Sequence, residues 1–184
     1  LLQHLPQPRL RQVLDVLDAP LLITDRAHAG LAAQLCPEGT VLLAEDLIQT
    51  PPDPAALTRI RDGMTDSDPL YCLFTSGSTG TPKGVVIRHR SVLSFIPAFT
   101  GLFGIGENDV IGNQAPFDFD VSVKDIYAAL YTGAALVVIP RQLFSQPAAL
   151  MDFLCRHRVT SLTWAVSALC LVSALHGLDY RTPD

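Results

Sequence analysis

The chain has no run of Lys or Arg, no cysteine pair at C-x-x-C spacing and no apolar stretch long enough to cross a bilayer. Each absence removes a class of function. Thirteen Lys and Arg against 18 Asp and Glu leave a net charge of −5. Without a basic patch the surface offers nothing for nucleic acid or an anionic membrane to hold, so neither is expected as a partner. A membrane-spanning helix needs about 20 predominantly apolar residues, and the start, Leu1-Leu2-Gln3-His4, carries no charged leader with a hydrophobic segment and cleavage site. An initiator methionine is also missing, so Leu1 is expected to be an internal position of a longer chain. The four cysteines, Cys36, Cys72, Cys155 and Cys170, are scattered. Reduced core cysteines are expected rather than a metal or redox centre, with the cytoplasm as the default compartment.

What is present suits a globular α/β domain: 184 residues, 48% hydrophobic and 17% charged. Leu10, Val13, Leu14 and Leu17 form one stripe at helical spacing, predicting a helix over 9–17 that ends at Asp18-Ala19-Pro20. Strands are expected at 21–24 and 41–44 around a small helix at 27–35. Gln49 to Asp68 reads as a surface connection with one short helix around 55–60. Strands at 70–74 and 85–87 flank a Ser/Thr/Gly-rich loop, which therefore sits at a hairpin tip. A helix follows at about 92–103, led in by Arg88-His89-Arg90-Ser91; His89 is either a contact near that loop or a residue that fixes the helix start. Then come a strand at 110–113, a helix at 121–132, a strand at 135–139, a helix at 147–157, a strand at 159–164 and a helix at 167–175 ended by Gly177. This alternation predicts mixed or parallel sheets with crossover helices.

The loop reads Thr75-Ser76-Gly77-Ser78-Thr79-Gly80-Thr81-Pro82-Lys83-Gly84-Val85. Glycines let a backbone turn tightly and approach a ligand, N–H groups and hydroxyls converge on an anion, and Lys83 adds a mobile charge. Pro82 before Lys83 and Gly84 after it exclude a Walker loop, which needs Gly-Lys-Ser/Thr. As composition alone the segment could equally be a polar hairpin or linker. Its order, however, resembles the phosphate-loop signature T-S-G-S-T-G-x-P-K-G-V of the adenylate-forming superfamily, which includes adenylation domains of nonribosomal peptide synthetases, acyl-CoA and aryl-acid ligases, and luciferases. The resemblance implies that an acid and ATP give an acyl-adenylate and pyrophosphate. It assigns Thr75, Ser76, Gly77, Ser78, Thr79, Gly80 and Lys83 to the phosphates.

A second constellation is Phe117-Asp118-Phe119-Asp120-Val121-Ser122-Val123-Lys124-Asp125, followed by Thr132-Gly133-Ala134. On its own it reads as a helix start, where Asp120 or Ser122 would cap the free N–H groups. It is also similar to the substrate-pocket motif of amino-acid-activating adenylation domains, and the spacing to Thr132-Gly133 puts Asp120 at the place of the aspartate that pairs with the substrate's α-ammonium. A desolvated ammonium needs a carboxylate partner, so an α-amino acid is expected. By the same register Val121, Lys124 and Thr163 line the pocket, although Trp164-Ala165-Val166-Ser167 departs from the paired prolines often found there. Two readings stay open for Lys124. Either it faces the pocket and favours an acidic or polar amino acid, or it stands exposed on the helix surface, paired with Asp125 or water.

The resemblance covers nearly all of residues 1–184, yet several motifs of the family have no match in them. The adenine-binding segment with its magnesium ligand, the ribose-binding aspartate and the C-terminal subdomain with the catalytic lysine are expected outside this chain. Tyr180-Arg181-Thr182-Pro183-Asp184 imitates the ribose motif but has Pro183 for glycine and lies too early. The expectation is therefore part of the large N-terminal subdomain of the adenylate-forming fold, in an enzyme that uses ATP and Mg2+ and loads the phosphopantetheine thiol of a peptidyl carrier protein. The isolated 184 residues are expected to be inactive. The alternatives are a stand-alone acyl- or aryl-acid ligase of the same superfamily and a non-catalytic nucleotide-binding remnant.

Overall fold

The computed structural model describes residues 5–75 and 80–182. The backbone forms two compact units, Leu1–His89 and Arg90–Asp184.

In the first unit, α1 (Gln7–Leu17) buries Leu10 and Val13 of the expected stripe and stops at Asp18, which adopts a left-handed conformation (φ 47°). Two strands, β1 (Leu21–Thr24) and β2 (Thr40–Leu43), pair in parallel, with Leu21 opposite Thr40. The crossover between them holds α2 (Ala29–Leu35), entered through a 3-10 turn at Arg26–His28. Two helices follow β2, and only the second lies within the 49–68 stretch read as a connection with one short helix. One, α3 (Ala44–Gln49), has no apolar stripe to announce it: Ile48 is 82% exposed. It is held from outside, by Arg26 N–H donating to Glu45 Oε1 at 2.9 Å and Arg26 Nη2 to Asp46 at 2.7 Å. The other, α4 (Pro54–Gly63), starts where the Asp53 carboxylate accepts from the N–H groups of Ala55 and Ala56. Then β3 (Pro69–Thr75) and β4 (Lys83–Arg88) form the expected antiparallel hairpin.

The second unit is layered. Helix α5 (His89–Phe103) opens at His89 and is followed by β5 (Val110–Asn113), α6 (Val121–Thr132) and β6 (Ala135–Val138). The two strands are parallel, with Val110 opposite Ala135. A 3-10 turn at Arg141–Ser145 leads to α7 (Pro147–Arg156), α8 (Val166–Ala174) and α9 (Gly177–Tyr180). Successive strand residues point to opposite faces, and each face has its own core. Ile111 and Leu136 pack with Phe99 of α5 and Ala128 and Ala129 of α6. Val110 and Val137 pack with Leu150, Met151 and Leu154 of α7 and Ala168 and Val172 of α8. Parallel strands covered on both faces are the α/β arrangement that the sequence predicted.

Three expectations are corrected here. Only Ser161 of the strand expected at 159–164 bridges to β5, opposite Ile111. The next rung would need the Gly112 carbonyl, and the Trp164 indole N–H occupies it at 2.9 Å. Gly177 does not end α8; it opens α9, and a Cβ there would meet Val172 at 3.0 Å and Pro147 at 3.1 Å, so close packing is what requires the glycine. Cys170 is exposed, on the side of α8 away from the inward-facing Ala168 and Val172.

Candidate functional site

The phosphate-loop residues belong to the first unit and the expected substrate residues to the second. In the hairpin, Thr75 ends β3 and Lys83 begins β4, and the two are paired across the ladder. The Thr75 carbonyl accepts from Arg9 Nη2 at 3.0 Å. Gly80 has φ +83°, a backbone conformation that L side chains rarely adopt. Pro82 is buried while Thr75, Gly80 and Lys83 are exposed, which leaves the lysine charge on the solvent side. Ser76, Gly77, Ser78 and Thr79 lie outside the described residues. His89 is the first residue of α5, with its N–H donating to the Asp68 carbonyl at 3.2 Å.

The second constellation lies where β5 hands over to α6, at the carboxyl end of the parallel strands, where open α/β sheets place their ligand crevices. A turn over 117–120 carries the chain from Asn113 to the helix. The capping role available to Asp120 and Ser122 is taken by neither side chain. Asp120 sits at the N-cap position with helical dihedrals (φ −58°, ψ −26°) and makes no capping bond, and its side chain is exposed. Ser122 is buried and donates its hydroxyl to the Phe119 carbonyl at 2.8 Å. Helical spacing puts Asp120 and Lys124 on one face, four residues apart, with Val121 half-buried beside them. The Thr132-Gly133-Ala134 part of the motif has a plain structural task. Gly133 takes the left-handed conformation that ends α6 (φ 81°), its N–H donating to the Ala129 carbonyl at 2.9 Å.

Lys124 and Thr163, 39 positions apart, are in contact: Nζ donates to Thr163 Oγ1 at 2.7 Å. Thr163 arrives there because its neighbours point the other way, Leu162 and Trp164 into the core under α7 and α8. Lys124 also donates to Asp125 Oδ1 at 2.6 Å. With its side chain only 15% exposed it is not the exposed lysine of the alternative reading, although Asp125, the partner that reading named, does pair with it. Thr163 donates to the same oxygen at 3.1 Å, and Asn113 Nδ2 donates to Asp125 Oδ2, also at 3.1 Å. A carboxylate that is 2% exposed is thus fully partnered, as burial of a charge demands.

Asn113 was not singled out from the sequence, and Asp125 was named there only as a possible partner of Lys124. The one signal was an asparagine closing an otherwise apolar strand, Val110-Ile111-Gly112-Asn113, since a strand facing cores on both sides admits a polar side chain only with a partner. An apolar cleft of about 340 Å³ lies elsewhere in this unit, lined by Met151, Leu154, Leu162, Trp164 and Leu169 among others. None of Asp120, Val121, Lys124 and Thr163 lines it.

With this geometry in place, comparison with known proteins is informative. The family described as AMP-binding enzyme matches residues 1–180. The D-alanine–D-alanyl carrier protein ligase of Lacticaseibacillus casei is 34% identical over 140 residues, 76% of this chain and 27% of that protein. One polypeptide of the linear gramicidin synthase of Brevibacillus parabrevis is 32% identical over 183 residues, 97% of this chain and 2% of its own length. Among solved structures, McyG A-PCP complexed with phenylalanyl-adenylate aligns with a TM-score of 0.76 at 23% identity, over 91% of this chain and 27% of that one, and so shares the fold. The chain spans roughly a quarter of the ligase and a small fraction of the synthase polypeptide.

Proposed function

Because the chain belongs to the AMP-binding enzyme family, we propose that residues 1–184 are part of one adenylation domain, within its large N-terminal subdomain, in a nonribosomal peptide synthetase. The reaction proposed is activation of an α-amino acid. Its carboxylate oxygen attacks the α-phosphorus of ATP, the bond to the bridging oxygen breaks, and pyrophosphate leaves. The carrier protein's phosphopantetheine thiol then takes the aminoacyl group and AMP departs.

Roles follow from chemistry. Thr75, Ser76, Gly77, Ser78, Thr79, Gly80 and Lys83 would hold the phosphates; the exposed Lys83 and the left-handed Gly80 suit that task. Asp120 would pair with the substrate ammonium, with Val121, Lys124 and Thr163 beside the side chain. The observation that carries the reading is Asp120 itself, a carboxylate at a helix start that leaves its capping bond unmade. The magnesium ligand and the catalytic lysine are proposed to lie in segments outside residues 1–184. Among the described residues no group of three or more His, Cys, Asp or Glu could hold a metal ion. A cytoplasmic setting is proposed on the same basis as the carrier partner; among the described residues no helix is long and apolar enough to cross a membrane. A stand-alone carrier-protein ligase is the second reading. Relatives so named support it, including the L-proline–[L-prolyl-carrier protein] ligase of Streptomyces coelicolor at 30% identity.

The test is amino-acid-dependent ATP–pyrophosphate exchange by the longest natural chain containing residues 1–184, over a panel of amino, aryl and fatty acids. Asp120→Ala is expected to lower kcat/KM for the amino acid by about a hundredfold or more, the loss typical of a charge pair in a binding site. Exchange with an aryl or fatty acid alone would sink the ammonium assignment, and nucleotide binding without any exchange would favour a non-catalytic remnant.

A further inference from the structure

The side chains at the start of α6 bear on which amino acid is taken, given the reading of Asp120 and Lys124 as substrate contacts. Lys124 has three N–H donors. Asp125 receives one at 2.6 Å and Thr163 another at 2.7 Å. The third has no protein acceptor among the described residues. The charge of Lys124, in contrast, is already matched. Asp125, 2% exposed, faces it in an ion pair and is itself held by Asn113 and Thr163.

Three kinds of substrate side chain meet this arrangement differently. A carboxylate set against Lys124 would lie near the buried Asp125 carboxylate, where water screens little and like charges repel. An apolar group would cover the remaining N–H and leave it unsatisfied. An amide or hydroxyl supplies an acceptor and brings no charge. We propose that the site selects an α-amino acid with an uncharged, hydrogen-bond-accepting side chain, and that Asp125 sets this preference by holding the charge of Lys124. Asp125 is then a positioning residue. It touches the substrate only through Lys124, and the acidic option left open by a pocket lysine is closed by its neighbour in the chain.

The experiment measures exchange kcat/KM for asparagine, glutamine, serine and threonine against aspartate, glutamate, leucine and phenylalanine, with the longest natural chain containing these residues. The unsubstituted protein is expected to favour one uncharged polar amino acid over both acidic ones by at least roughly tenfold. Asp125→Asn keeps the shape but frees the lysine charge, and should shift that ratio at least about tenfold toward the acids. Lys124→Met removes the cation and leaves Asp125 negative, so the ratio should move the other way. General damage to the site would not produce opposite shifts. Thermal unfolding of both variants shows whether each is folded; should Asp125→Asn fail to fold, the direction of the Lys124→Met shift decides. Preference for aspartate, glutamate or an apolar amino acid overturns the proposal, as do shifts that are absent or of one sign. Those outcomes, in a protein whose exchange still depends on Asp120, overturn this proposal alone. Absence of exchange with every amino acid overturns the reading beneath it.

Discussion

The hairpin that closes on the phosphate loop and the helix start that carries Asp120 are held by different means. In the hairpin, regularity is local. Strands β3 and β4 pair residue by residue from Tyr71–Ile87 to Thr75–Lys83, while Val85 and Val86 remain about half exposed at 47% and 53%. At the start of α6, regularity is long-range. Residues 113, 125 and 163 meet around one buried carboxylate, and cores lie on both faces of the adjoining strands. Of the buried hydrophobic side chains among the described residues, Leu10, Val13 and Ala32 belong to the first unit and the rest to the second. The phosphate-holding role proposed for this loop would tolerate such a light setting, since its contacts would be N–H groups and a mobile lysine. Recognition of a side chain needs geometry fixed by packing.

This contrast can be broken, and the largest effect should come from the packed side. Leu150 is fully buried in the core under β5 and β6. Leu150→Ala is expected to destabilise by about 2–5 kcal/mol, against under about 1 kcal/mol for Val85→Ala in the hairpin. Denaturant unfolding of each variant checks this, and equal losses would refute the difference between the two regions. A middle-sized effect is expected at Gly84, whose added Cβ would lie 2.9 Å from Cys72 Sγ and 3.2 Å from the Phe74 ring. Gly84→Ala should cost about 1–3 kcal/mol and disturb the adjoining Thr75–Lys83 pair, visible as a raised KM for ATP with little change for the amino acid. The smallest effect concerns acid. Asp109 is held below the ordinary carboxylate range by the Gly106 N–H and then by the Thr160 hydroxyl, which donate at 2.8 and 2.6 Å. A depressed native pKa adds stability that is present above the unfolded value of 3.8 and is lost as pH falls through the native one. Asp109→Asn should therefore flatten the fall in stability below about pH 4, as followed by thermal unfolding across pH.

These two regions also differed in how far they could be read from the sequence. The bounds of β5 and α6 match the expected 110–113 and 121–132, because apolar periodicity is strong in both and Gly133 marks the helix end. The hairpin strands came out within two residues of expectation at each end. Helix α3 was missed because its hold is Arg26 reaching Glu45 and Asp46 rather than an apolar face. The strand expected at 159–164 shrank to one bridge because an indole N–H, and not a backbone N–H, takes the Gly112 carbonyl. The residues proposed for the phosphates and for the substrate ammonium came from the order of contiguous motifs. The contact between Asn113 and Asp125 could not be read that way, since it is set by where a helix lands against a strand, which neighbours in the chain do not encode.

Trp164 is the single tryptophan of these 184 residues, and it is 9% exposed and edge-on to Phe144, 5.1 Å between ring centres. Its emission is therefore a light source built into one unit alone. Loosening of the strands around Gly112 would redden and quench it. Thr163 precedes it directly, so the same indole stands one residue from the lysine network, and occupation of the proposed amino-acid site could be followed optically without a label.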